Sequence, residues 1–174
     1  MPRLTATFVA LIFASVFVLT AVFWLSPRQS HAAPETVIVV TTTVDELETN
    51  GQCSLREAIQ AANTDTAVDT CAAGSGSGDL ITIPAGRYRL SLADPVGVVE
   101  ENGNATGDLD LLQSVTLVGA GTAVTIIDGN QIDRAFHQPF GGIHVTVTDL
   151  TVQGGSLGIG TSVNYSGGGF SLIS

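Results

Sequence analysis

"CSLREAIQAAN", Cys53 to Asn63, is the one helical passage in a chain that otherwise spells short strands and glycine turns. Ser54 offers an N-cap hydroxyl and Glu57 stands three residues on, the Ser-x-x-Glu capping box. Leu55, Ala58, Ile59 and Ala62 then fall at i, i+3, i+4 and i+7, one apolar stripe. Arg56, Glu57, Gln60 and Asn63 make the opposite, polar side. The spacing predicts a helix over 54–63. A helix of about ten residues is marginal alone, so its stripe needs a surface to lie on.

That surface is β-structure. Thr36 to Thr43, Leu80 to Pro84, Ser114 to Val118, Ala123 to Ile127, Ile143 to Thr148, Asp149 to Gln153 and Gly169 to Ile173 read as short strands, most of them bounded by Gly, Asp, Asn or Pro. Val145-Thr146-Val147-Thr148 alternates, valines to one face and threonines to the other. Val115 and Leu117 recur as Val145 and Val147, 30 residues later; Leu150 and Val152 recur as Phe170 and Leu172, 20 later. Unequal steps with shared strand positions suit a solenoid with loops of varying length. No convincing two-residue hairpin turn joins consecutive strands, which weighs against a meander or sandwich.

A solenoid begins with an open apolar interior and unpaired strand edges, and needs a lid. The helix is read as that lid. Cys53 and Cys71 are the only cysteines, and in an exported chain two cysteines favour a disulfide that staples it. Ala72 to Gly78, rich in glycine and serine, is read as a flexible step into the strands.

The chain has 174 residues and opens with an uncharged apolar run, Leu4 to Leu25, behind Arg3. Ser30 and Ala32 stand at −3 and −1 for a signal-peptidase cut; the run is also long enough to be an uncut membrane anchor. Either way the part from Ala33 onward is exported. That part holds four arginines, no lysine and sixteen acidic residues, a net −12 with His neutral. Such a balance excludes nucleic acid and anionic membrane surfaces as partners. Membrane contact is left to the N-terminal segment, if it is uncleaved.

"TTTVDELETNGQCSLREAIQAAN", residues 41–63, resembles the N-terminal module named after its own Cys-Ser-Leu-Arg-Glu-Ala string, found in secreted or surface bacterial proteins of the right-handed parallel β-helix (pectate-lyase-like) type. Gly78 to Tyr88, Gly107-Asp108-Leu109-Asp110, Val115 to Gly121, Ile127 to Asn130, Asp133 to Phe136 and Leu150 to Gly155 extend the likeness. The resemblance implies an all-β, right-handed parallel β-helix: 1–32 a signal peptide or anchor, 33–78 an N-terminal cap with helix 54–63, and 79–174 the first rungs. Such proteins run through more rungs, so the end inside a strand at Ser174 reads as a truncation.

The function expected is structural or adhesive, at the cell surface or outside the cell, with glycans or surface proteins as partners. The alternative is a polysaccharide lyase or glycoside hydrolase whose active site lies in later rungs. For this chain the reading goes against an enzyme, because no paired set of catalytic groups is visible. No catalytic, cofactor or metal set is assigned. Asp108 and Asp110, at i and i+2, are the nearest approach to a calcium pair, in a cluster with Glu100 and Glu101; the plainer reading is a turn entering a strand. Arg134 beside Asp133 reads as a local ion pair. His137 and His144 read as incidental. Thr116, Thr125, Thr146, Thr148 and Thr151 are read as outward-facing, with ordinary β-propensity as the plainer account.

Overall fold

The computed structural model describes residues 35–76, 78–96, 101–156 and 169–171. The stretch 1–32, expected to be a signal peptide or anchor, lies outside them, as do Glu100, Asn164-Tyr165-Ser166, which spells a glycosylation sequon, and residues 172–174. Among the described residues no helix is long and apolar enough to cross a membrane.

Ten strands, β1 (Val37–Val39), β2 (Asp79–Ile83), β3 (Gly86–Arg89), β4 (Leu109–Asp110), β5 (Val115–Gly119), β6 (Thr125–Asp128), β7 (Phe136–His137), β8 (Val145–Thr148), β9 (Thr151–Gln153) and β10 (Phe170–Ser171), accompany one helix, α1 (Leu55–Thr64). The described chain is thus all-β apart from α1. Three sheets form, in the orders β1-β2-β5-β8, β3-β6-β9 and β4-β7-β10. Every pairing is parallel. From β2 onward the chain visits the three sheets in the same order three times over.

Register matches the 30-residue step read from sequence: Val115 pairs Val145 and Leu117 pairs Val147. Val37, Leu80, Thr116 and Thr146 share one register position, at intervals of 43, 36 and 30 residues. The 20-residue step does not survive. Val152 pairs Ile127 and Phe170 pairs Phe136, in different sheets. Loop lengths differ between visits, so equal apolar spacing does not mark equal position.

Period-two alternation sets the core. Ile38, Ile81 and Leu117 are register neighbours and fully buried. Tyr88 lies beside Ile127 and Leu109 beside Phe136, all buried in the same cluster. Helix α1 packs on β1, β2 and β4, and Leu55, Ala58, Ile59 and Ala62 join that core.

The helix start carries both halves of the capping box. Ser54 Oγ accepts from the Glu57 N–H at 3.1 Å, and a Glu57 carboxylate oxygen accepts from the Ser54 N–H at 2.8 Å. The Ser54 hydroxyl also donates to the Glu46 carbonyl. Cys53 and Cys71 are joined in a disulfide. Two expectations fail here. Arg56 and Glu57, assigned to a polar outer side, are both fully buried, because the 45–48 and 104–108 segments supply them with polar partners. The step at 72–78 is also tied in: Gly74 N–H donates to the Ala61 carbonyl, and Ser75 bonds Asp79 through both N–H and hydroxyl.

Candidate functional site

The left-handed Gly107 (φ 65°) turns the chain into β4, its N–H donating to the Leu92 carbonyl. β4 then pairs β7 in parallel, Leu109 with Phe136 and Asp110 with His137. Side chains alternate along a strand. Leu109 and Phe136 therefore enter the apolar core, while Asp108, Asp110 and His137 share the other side.

These residues meet out of reach of solvent: Asp108, Asp110, Arg134 and His137 are at most 3% exposed. His137 Nδ1 lies 3.1 Å from Asp110 Oδ1 and 4.0 Å from Asp108 Oδ2. Arg134 Nε donates to Asp108 Oδ2 at 2.6 Å and sits 3.7 Å from Asp133. Asp110 Oδ2 accepts the Asn104 N–H at 2.9 Å. Burial, and then the charge of Asp110 beside it, push the Asp108 carboxyl up to about 7 against the pull of Arg134.

Helix α1 holds the same strand from behind. Arg56 donates to the carbonyls of Asp108 and Gly107 at 3.0 and 2.9 Å. Asn63 Nδ2 donates to the Asp110 carbonyl. Helix α1 thus grips the backbone of β4, and the side chains of β4 grip β7.

Several sequence readings change. Asp108 and Asp110 do share a side, as i, i+2 spacing requires, but it is buried. Arg134 answers Asp108 rather than only its neighbour Asp133. His137 belongs to the cluster, whereas His144 is exposed. The signal for His137 was the match of Leu109-Asp110 with Phe136-His137, apolar then polar, 27 residues apart. Glu101 stays outside, its carboxylate accepting N–H groups of Ala105 and Thr106. Asn104, in a glycosylation sequon, is fully buried, its amide donating to the Arg56 carbonyl.

Two carboxylates, an imidazole and a guanidinium can hold a proton or an ion, or lock two strands. Closed to solvent, this set has no room for a polymer. Surface chemistry lies elsewhere. The outer face of β1-β2-β5-β8 presents Val37, Leu80, Thr116 and Thr146 in one column and Val39, Thr82, Val118 and Thr148 in the next, with no charged group. A groove of about 550 Å³ adjoins β1, lined by Val37, Val39, Thr41, Gly51, Gln52, Thr70 and Ala72, again uncharged. Of the other threonines, Thr151 is half-buried. Thr125 is fully buried, a correction to its outward assignment: its hydroxyl accepts from the Ala120 N–H and donates to the Pro84 carbonyl. Arg87 and Arg89 are exposed on β3, bonded to Asp128 and Asn130 respectively.

Comparison of the chain with known protein families, with curated proteins and with solved structures finds no match.

Proposed function

We propose that the chain forms an exported right-handed parallel β-helix of the Cys-Ser-Leu-Arg-Glu-Ala type, with helix α1 as its cap. Its role is structural and adhesive outside the cell, and its outer sheet face binds neutral glycan. Support for the fold comes from all-parallel pairing and from the repeated order in which the chain visits three sheets. The observation that carries the function is the uncharged double column from Val37 and Val39 to Thr146 and Thr148. On a chain of net charge −10, a charge-free sheet face is the surface that an uncharged polymer meets without electrostatic cost. Threonine hydroxyls offer hydrogen bonds and the methyl groups beside them offer apolar contact.

The test is retention of the full chain on insoluble cellulose and chitin. Thr146 and Thr148 are exposed, so the double variant T146E/T148E keeps the fold. Retention by the wild type, weakened about tenfold or more in the variant, supports the reading. No retention on either polymer, or equal retention of both proteins, overturns it. Double-bond release from an acidic polysaccharide would instead favour the lyase reading.

A further inference from the structure

The cluster between β4 and β7 has a charge balance that hydrogen bonding alone does not close. Asp108, Asp110 and Asp133 face a single cation, Arg134, so the ionised set sums to −2 with His137 neutral. Arg56, the other cation nearby, is already matched by Asp45. Asp133 is partly exposed, but Asp108 and Asp110 are not, and charge held away from water is costly unless it is paired, neutralised by a proton or coordinated to a metal.

We infer that Asp108, Asp110 and His137 form a buried site for one divalent first-row metal ion, which clamps β4 to β7. One carboxylate oxygen from each aspartate and one imidazole nitrogen lie within 4.8 Å of one another. Two ligand atoms each about 2.1 Å from an ion can stand up to about 4.2 Å apart. The 3.1 Å and 4.0 Å separations at His137 Nδ1 already satisfy that bound. Three ligand atoms meet one ion only if the angles between them sum to no more than 360°, so the widest separation, within 4.8 Å here, must close to about 3.6 Å, a movement of roughly one ångström.

An outer shell of donors is built around the ligands. Arg134 Nε holds Asp108 and the Asn104 N–H holds Asp110, as ligating carboxylates are commonly held. Asn104 also carries a buried side-chain oxygen, Oδ1, with no partner among the described residues. The donor set selects the ion. Calcium takes six to eight oxygens, whereas two carboxylates with one imidazole suit zinc, cobalt or manganese. The carboxylates that suggested calcium in the sequence thus point to a different ion once His137 stands beside them. Bound there, a divalent ion brings the cluster to neutrality.

The test uses the untagged full chain in detergent, stripped with chelator, then offered Zn²⁺, Co²⁺ or Ca²⁺ separately. About one equivalent of Zn²⁺ per chain is expected to survive desalting in excess Ca²⁺. The melting temperature should rise by about 5 °C or more at saturating Zn²⁺. Co²⁺ should give visible bands of nitrogen and oxygen ligation, a readout that needs no variant. Asp110→Asn and His137→Gln, checked for fold by circular dichroism, should each lose the equivalent. Zn²⁺ content below a tenth of an equivalent in the wild type overturns the site. So does undiminished binding in either folded variant, or displacement of Zn²⁺ by Ca²⁺, which marks adventitious binding to surface carboxylates.

Discussion

Arg56 and Asp45 face each other beside the start of helix α1, Nε to Oδ1 at 2.7 Å, with side chains 0% and 4% exposed. The pair is a junction rather than an isolated bridge. Asp45 also accepts the N–H groups of Ser91 and Leu92 at 2.7 and 3.0 Å. Arg56 reaches on to the carbonyls of Gly107 and Asp108. Four segments distant in sequence therefore converge on one buried guanidinium–carboxylate pair.

Replacing Arg56 by Met strands the Asp45 carboxylate and leaves two buried carbonyls short of donors. Removing one partner of a buried pair costs about 3–5 kcal/mol. Arg56→Met should lose that much in urea unfolding. Arg56→Lys should recover little, since an ammonium lacks the planar fork that reaches several acceptors. A wild-type midpoint in either variant would refute the junction.

The Cys53–Cys71 disulfide spans a sequence separation of 18 residues. A loop of that size is worth about 3 kcal/mol in the chain-entropy account. Reductant should lower the unfolding midpoint of the wild type accordingly and leave a Cys53→Ala/Cys71→Ala double variant unmoved. If reductant shifts both equally, the stabilisation lies outside the bridge.

Asp128 links stability to pH. Its burial raises the carboxyl, but the Asn130 N–H and then the Arg87 guanidinium outweigh that and hold it below the ordinary carboxylate value. A group lowered in the folded state contributes stability above its unfolded pKa and loses it as pH falls through the folded one. Asp128→Asn should therefore unfold more readily than wild type near pH 7 and converge with it as acid protonates Asp128 in the folded state. Added salt should shrink only part of the difference, because Arg87 is 59% exposed while the N–H is not screened. A pH-independent gap would sink this account.

Gly119 closes β5 against the chain leaving β8. A β-carbon there would stand 2.1 Å from the Asp149 carbonyl oxygen, a backbone atom with no freedom to swing away. Gly119→Ala should cost about 1–3 kcal/mol or more, read as a melting temperature several degrees lower. An unchanged melting temperature would mean the two segments lie farther apart.

What could be read directly from the residues was local. Ser54 and Glu57 are three apart, and a capping box depends on nothing else. Val115 and Val145 stand a fixed step apart within similar strands, so their pairing showed as periodicity. Arg56 was misassigned because helical periodicity sorts residues by apolarity, and a charged residue falls on the outer side by default. Its burial depends on carbonyls some fifty residues away, which no local pattern encodes. The same holds for Asp110 and His137: two-residue strands leave too little periodicity to detect, and their adjacency rests on the length of the loop between them. Phe170 was matched to Leu150 for the same reason.

Arg56 and Arg134 are buried, while Arg87 and Arg89 are exposed, and the chain contains no lysine. A trypsin-like protease meeting the folded domain thus finds its cleavage residues only on β3, where hydrogen bonding to β6 holds the backbone extended and resistant to bending into a protease cleft. Within residues 33–174 the scarcity of basic residues thus acts as armour, and limited tryptic digestion of that part should begin only after the sheet carrying β3 opens.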